Sequence, residues 1–175
     1  ERFLVIEVFG RYAGFTALLP AMAGAANRCV IPEHEFDLER LCELMVADRT
    51  SNPSHYSVVL VSEGARIRGM SDMVFEGGET DAYGHKKLGG IGHLVSQEIR
   101  KRTGVNIMYE QLAYIMRSGA PDSLDRMVAV SYGSLALDQV AMGHTGRMVA
   151  LQQGIYTTVP LDMVVECLEL SAADR

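Results

Sequence analysis

Apolar residues fall in short unbroken blocks, separated by stretches in which they recur every three or four positions. FLVIEV, at Phe3–Val8, is a block of the kind that forms a strand buried on both faces. Gly10 and Gly14 bracket a turn, and the following stretch predicts an apolar helix over 15–23. A second strand is expected at 29–31, closed by Pro32. Asp37 is placed to cap a helix that carries Leu38, Leu41 and Met45 at helical spacing. YSVVLV, at 56–61, is a continuous β-branched strand.

The segment 64–88 is polar and glycine-rich and reads as a long loop or insertion. A helix over 91–101 follows, with Ile91, Leu94, Val95 and Ile99 on one face, then a strand near 106–110. The stretch 122–142 predicts a long helix bearing Leu124, Met127, Val128, Leu135 and Leu137. Short strands at 148–151 and 155–159 flank Gly154, and a last helix is expected over 162–170.

Strands alternating with helices predict an α/β fold, doubly wound around a mostly parallel sheet. Ligands in such sheets bind beyond the carboxyl ends of the strands. Three polar segments fall there: Gly10–Arg11, Glu63, and the run from Tyr114 to Gly119.

At 175 residues the length suits one domain spanning 1–175, and 48% hydrophobic content is that of a globular protein. The net charge of −6 opposes general nucleic-acid binding, which requires basic stripes. Cys29, Cys42 and Cys167 form no CxxC, so they read as reduced thiols in a cytoplasmic protein. No apolar run reaches the ~18 residues that span a membrane, and no secretory signal pattern is present. The chain enters an apolar strand within two residues of Glu1, which predicts a piece of a longer polypeptide.

Arg11 stands where a strand passes into a helix. A helix N-terminus favours anions, and a guanidinium there suits phosphate; a surface arginine on a βα turn is the other reading. Gly10 is either part of that site or a tight-turn glycine. Glu63 ends an apolar strand, where a carboxylate either accepts bonds from sugar hydroxyls or caps a loop. Tyr114 and Arg117 share a turn ahead of Pro121, a second arginine near a second helix start. Asp125 and Arg126 are assigned to capping and packing of that helix.

Other signals fail. GGIGHLV, with Gly89, Gly90 and Gly92, lacks the third glycine of the dinucleotide fingerprint. No phosphate loop of the GxxxxGK[ST] type, no nucleophile elbow and no metal spacing among the five histidines is present.

In this order and spacing the runs resemble the 6-phosphofructokinase family over nearly the whole chain. Arg2, IEVFGR (6–11) and Gly14 are similar to the family's arginine and strand ending Val-Glu-Val-Met-Gly-Arg, with Phe9 in place of Met. AGAANRCVIPE (23–33) and VLVSEGA (59–65) resemble its next strands, the second ending in the substrate glutamate. LAYIMRSGAPDSLDR (112–126) resembles Leu-Gly-His-x-x-Arg-Gly-Gly-x-Pro-x-x-x-Asp-Arg, and TGRMVAL with IYTTVPL the closing hairpin.

The resemblance implies the fructose 6-phosphate-binding portion of an enzyme that phosphorylates the sugar's 1-hydroxyl from ATP or pyrophosphate. Phe9, Gly10 and Arg11 would contact substrate and the moving phosphoryl group, with Arg11 catalytic. Glu63 would bind sugar hydroxyls, and Tyr114 and Arg117 the phosphate region. Arg2 matches an arginine that in bacterial members reaches a neighbouring subunit's 6-phosphate; it would act in its own or a neighbouring subunit, and in the second case the enzyme is an oligomer, a dimer or tetramer. Mg²⁺ and the phosphoryl donor would be held mainly by an upstream domain absent here, and no metal ligand is expected in this segment. Met108 departs from the family's further arginine, and Asn27, Asn52 and Ser54 replace charged residues of the bacterial effector site. A non-catalytic regulatory homologue is the alternative from another class. An unrelated nucleotide-binding domain is disfavoured by the failed glycine fingerprint.

Overall fold

The computed structural model describes residues 2–70, 75–80, 86–88 and 90–164. The chain forms two compact units, Glu1–Ser118 and Gly119–Arg175.

The first unit is built on four parallel strands: β1 (Phe3–Val8), β2 (Arg28–Val30), β3 (Ser57–Ser62) and a later strand, Ile107–Gln111. Strand β1 lies between β3 and Ile107–Gln111, and β2 flanks β3 on the outside. Helix α1 (Phe15–Met22) follows β1, and α2 (Leu38–Ser51) follows β2. The Asp37 carboxylate accepts from the Arg40 N–H, so the expected cap of α2 is present.

The segment expected to be one long loop departs from that reading. Its described residues include two antiparallel strands, β4 (Phe75–Thr80) and β5 (Lys86–Leu88). FEGGET is poor in strand-forming residues, so only pairing with a partner makes it extended. Helix α3 (Ile91–Thr103) comes next and leads into β6, the strand Ile107–Gln111.

Side chains on successive strand residues face opposite ways, and helices cover both faces. Phe3, Val5, Val59 and Val61 meet Leu41, Cys42 and Met45 of α2 and Ile91, Val95 and Ile99 of α3. Val8 and Leu60 meet Ala17 of α1 on the other face. The doubly wound expectation therefore holds. At about 1.5–3 kcal/mol per fully buried aliphatic side chain, the α2–α3 face dominates the stability of this unit.

The second unit contains α4 (Ser123–Ala141) and an antiparallel hairpin of β7 (Arg147–Gln152) and β8 (Ile155–Pro160). Asp122 and Asp125 form a reciprocal capping box at the start of α4, the role expected of Asp125. Val128 and Leu135 are half-buried, whereas Leu124, Met127 and Leu137 are exposed. Residues 161–164 are helical; the rest of the helix expected over 162–170 lies outside the described residues, as does Cys167. No helix among the described residues is long and apolar enough to cross a membrane.

Candidate functional site

Parallel pairing in register brings three chain segments to one edge. Val8 lies beside Ser62, so Phe9–Gly10–Arg11 leaves the sheet next to Glu63. Glu7 lies beside Gln111 on the other side, so the segment after β6 leaves next to the same strand end. Residues Ala113–Arg117 form a 3₁₀ turn there, carrying Tyr114 and Arg117. Arg11 and Arg117, more than 100 residues apart in sequence, thus meet because β1 pairs with β6, and Glu63 joins them because β3 pairs with β1 on its other side.

Backbone bonds lock the exits together. The Glu63 N–H donates to the Val8 carbonyl at 3.0 Å, and the Gly64 N–H to the Gly10 carbonyl at 3.0 Å. Gly10 adopts φ 141°, and a Cβ there would stand 2.7 Å from the Ala13 carbonyl oxygen. A Cβ on Gly64 would stand 1.9 Å from the Arg11 carbonyl oxygen. Both glycines are required by how closely the two turns approach. The Thr16 hydroxyl donates to the Phe9 carbonyl, tying α1 to the same turn.

Phe9 supports Arg117 directly. The guanidinium carbon of Arg117 lies 4.2 Å from the Phe9 ring centroid and 5.8 Å from that of Tyr114. The two rings meet edge to face with centroids 5.8 Å apart. A cation over an aromatic face gains about 0.5–1 kcal/mol at an exposed site, and Arg117 and Tyr114 are both exposed. Phe9 therefore restrains an otherwise free arginine while leaving its charge accessible.

Glu63 is the acidic member. Its carboxyl is pushed above the ordinary glutamate range, first by burial and also by the nearby Glu7 charge. The Gly10 N–H bond and the charges of Arg11 and Arg117 pull the other way. One half-buried carboxylate therefore lies within electrostatic reach of two guanidiniums from different segments. Such a set offers planar cationic donors for phosphate oxygens and an acceptor for hydroxyl groups.

Two expectations change. The anion-favouring N–H at the start of α1 is occupied: the Gly14 N–H donates to both Glu33 carboxylate oxygens, at 2.9 and 3.1 Å. In α4 the Asp125 N–H is likewise taken by Asp122. At this edge cationic side chains, more than the start of α1, attract anions. Arg2 stands apart, beside Met108 at the opposite end of β1, with Nη1 3.5 Å from the sulfur. At about 3.3 Å per strand residue, the six residues of β1 separate it from Arg11 by on the order of 20 Å.

Sequence reasoning missed Glu33 and Glu7. Glu7 is only 1% exposed. A signal for it was present, because Phe3, Val5 and Glu7 share one face of the strand and the third position breaks an apolar series.

A family profile described as Phosphofructokinase matches residues 1–140. The chain belongs to the phosphofructokinase family. Over 160 residues it is 39% identical to the pyrophosphate–fructose 6-phosphate 1-phosphotransferase of Streptomyces coelicolor, covering 91% of this chain and 46% of that protein. It is also 39% identical over 161 residues to the ATP-dependent 6-phosphofructokinase of Chloroflexus aurantiacus, covering 92% and 43%. The chain thus spans about half the length of the curated relatives it matches. Phosphofructokinase structures from Pichia pastoris and Saccharomyces cerevisiae superpose with TM-scores of 0.74 and 0.75 at 23% and 20% identity. Each covers 98% of this chain, with the match occupying 18% and 21% of the respective structures. These structures share the phosphofructokinase fold of this chain. Relatives in the family are named as phosphotransferases, with either ATP or pyrophosphate in the name.

Proposed function

We propose that this chain, as a single unit of function over 1–175, is the fructose 6-phosphate-binding portion of a 6-phosphofructokinase. The enzyme containing it moves a phosphoryl group from ATP or pyrophosphate to the sugar's 1-hydroxyl. The observation that carries the reading is the meeting of Arg11, Glu63 and Arg117 at one strand edge. Names of relatives with 39% identity supply the substrate and the reaction.

Roles follow from position. Arg117, exposed and braced by Phe9 and Tyr114, binds the 6-phosphate. Glu63 accepts hydrogen bonds from sugar hydroxyls. Gly10 brings its backbone close to the sugar, and Arg11 neutralises charge on the moving phosphoryl group. Phosphoryl transfer depends on positioning and electrostatic stabilisation, so placed cations do most of the work.

The residues present do not suit Mg²⁺. Glu63 lies within reach of the Arg11 and Arg117 charges, which oppose a further cation, and the Glu7 carboxylate is filled by internal donors. No group of three potential ligands occurs among the described residues. Donor and metal are assigned to residues outside this chain. Arg2 is exposed and remote from its own chain's site, so it serves the site of a second copy. The exposed, remote Arg2 supports a homo-oligomer, a dimer or tetramer, acting in the cytoplasm.

Replacing Arg117 tests the reading. In the enzyme carrying this chain, Arg117→Ala should raise KM for fructose 6-phosphate by about 10–100-fold with kcat little changed, since a charged hydrogen bond is worth about 1.5–3 kcal/mol. An unchanged KM removes Arg117 from phosphate binding. Binding of fructose 6-phosphate without turnover would favour a regulatory homologue.

Acidification gives a second check. Glu63 accepts through both oxygens only when ionised, since protonation turns one of them into a donor, and its folded pKa is raised. Affinity for the sugar phosphate should therefore be fullest where Glu63 is ionised, above its raised folded pKa. It should weaken as pH falls through a window above the ordinary glutamate value of 4.5. The substrate phosphate titrates near pH ~6, so the measurement is the difference between wild type and Glu63→Gln. Parallel pH profiles for the two proteins would exclude the carboxylate.

A further inference from the structure

The glycine run before α3 fits no dinucleotide site, but it is not idle. Its N–H groups close on a carboxylate from the middle of the sheet. Glu7 Oε2 accepts from the Gly92 N–H at 2.9 Å and from the Tyr109 hydroxyl at 2.9 Å. Oε1 accepts from the Gly90 N–H at 3.1 Å and from the Gln111 amide at 3.4 Å. Gly90 takes φ 85°, and a Cβ on Gly92 would stand 2.8 Å from both Glu7 Oε2 and the Tyr109 ring. The glycines thus allow the first turn of α3 to reach the carboxylate, and the partial positive charge of that helix end favours it.

We propose that Glu7 is a positioning residue that sets the spacing between the Arg11 turn and the Arg117 turn. It lies two residues before Phe9, on β1, whose end at Val8 leads into the Arg11 turn. Its side chain holds Tyr109 and Gln111 of β6, and its own carbonyl accepts the Leu112 N–H at 3.0 Å. Leu112 is the residue that opens the 3₁₀ turn carrying Tyr114 and Arg117. One buried residue therefore ties three places to β1: its carboxylate holds the start of α3 and the end of β6, and its backbone carbonyl holds the entry to that turn.

A neutral isostere disturbs this arrangement without changing its size. In Glu7→Gln one oxygen becomes an NH₂, which must face at least one donor it cannot accept from. A buried N–H such as that of Gly92 then loses its acceptor, and the side-chain tie that reinforces the β1–β6 pairing at its end is weakened. Tyr109→Phe removes a single bond of the four and leaves the carboxylate in place.

Two readouts test the inference, of which the kinetic one rests on the function proposed above. In the full enzyme, Glu7→Gln should raise KM for fructose 6-phosphate by at least ~tenfold with kcat within ~threefold of wild type. Amide hydrogen exchange across 109–118 should speed up by at least ~tenfold while α2 keeps its wild-type protection. Tyr109→Phe should shift both in the same direction by less, and it serves if Glu7→Gln does not fold. An unchanged KM, or a kcat loss at unchanged KM, overturns the proposal by making Glu7 a general stabiliser. So does exchange that accelerates equally in α2. If wild type neither binds nor turns over fructose 6-phosphate, the functional reading fails, and the exchange measurement alone decides the role of Glu7.

Discussion

Arg11→Ala is expected to lower kcat of the enzyme containing this chain by about 10²-fold or more, with KM for fructose 6-phosphate within about threefold. The reason lies in what holds Arg11. Its backbone sits in a turn clamped by the Gly64-to-Gly10 bond, and its charge acts on the Glu63 carboxylate. A cation fixed this way needs no reorganisation when negative charge develops nearby, the condition under which a single donor matters most. Arg11 is half-buried in a turn, so its truncation should leave the fold intact and the loss should fall on the chemical step. Steady-state kinetics on the full enzyme measure both constants. Turnover at the wild-type rate would take Arg11 out of the mechanism.

Gly64→Ala should reproduce that loss without touching any charged group. The added methyl would lie 1.9 Å from the Arg11 carbonyl oxygen and 2.6 Å from its carbonyl carbon, both backbone atoms. Rotamer change cannot relieve such a contact, so one of the two turns must shift. Displacing a catalytic group by an ångström costs on the order of 10²-fold, and forced overpacking costs about 1–3 kcal/mol. Kinetics and thermal melting together should therefore show low kcat and a lowered Tm, whereas Arg11→Ala shows the first alone. A Gly64→Ala protein with wild-type kcat would mean that the Arg11 turn is not held by this contact.

Much of the site was legible along the chain. Arg11, Glu63 and Arg117 each follow a strand-like apolar block, and a parallel sheet collects such residues at one edge. The order of the blocks resembled the phosphofructokinase family, and the family match bears that out. Other features were not legible, for reasons tied to particular residues. Phe9 read as a substitution for Met, yet its ring turns out to carry Arg117. Glu33 read as part of a Pro-Glu strand end, yet it fills the start of α1. Phe75–Thr80 read as loop because its residues have little strand preference without a partner.

Local chemistry along the chain is enough to specify where strands and helices form. Hydrophobic spacing and capping act over a few residues, and Asp37, Asp122 and the FLVIEV and YSVVLV blocks declare themselves within that range. Strand order is a different matter. Placing β1 between β3 and β6 depends on pairings between residues about 50 and 100 positions apart, which no local pattern encodes. That order brings two arginines to one carboxylate and gives the buried Glu7 its donors. Low dielectric makes the Glu7 arrangement matter, and only packing of the whole unit creates it.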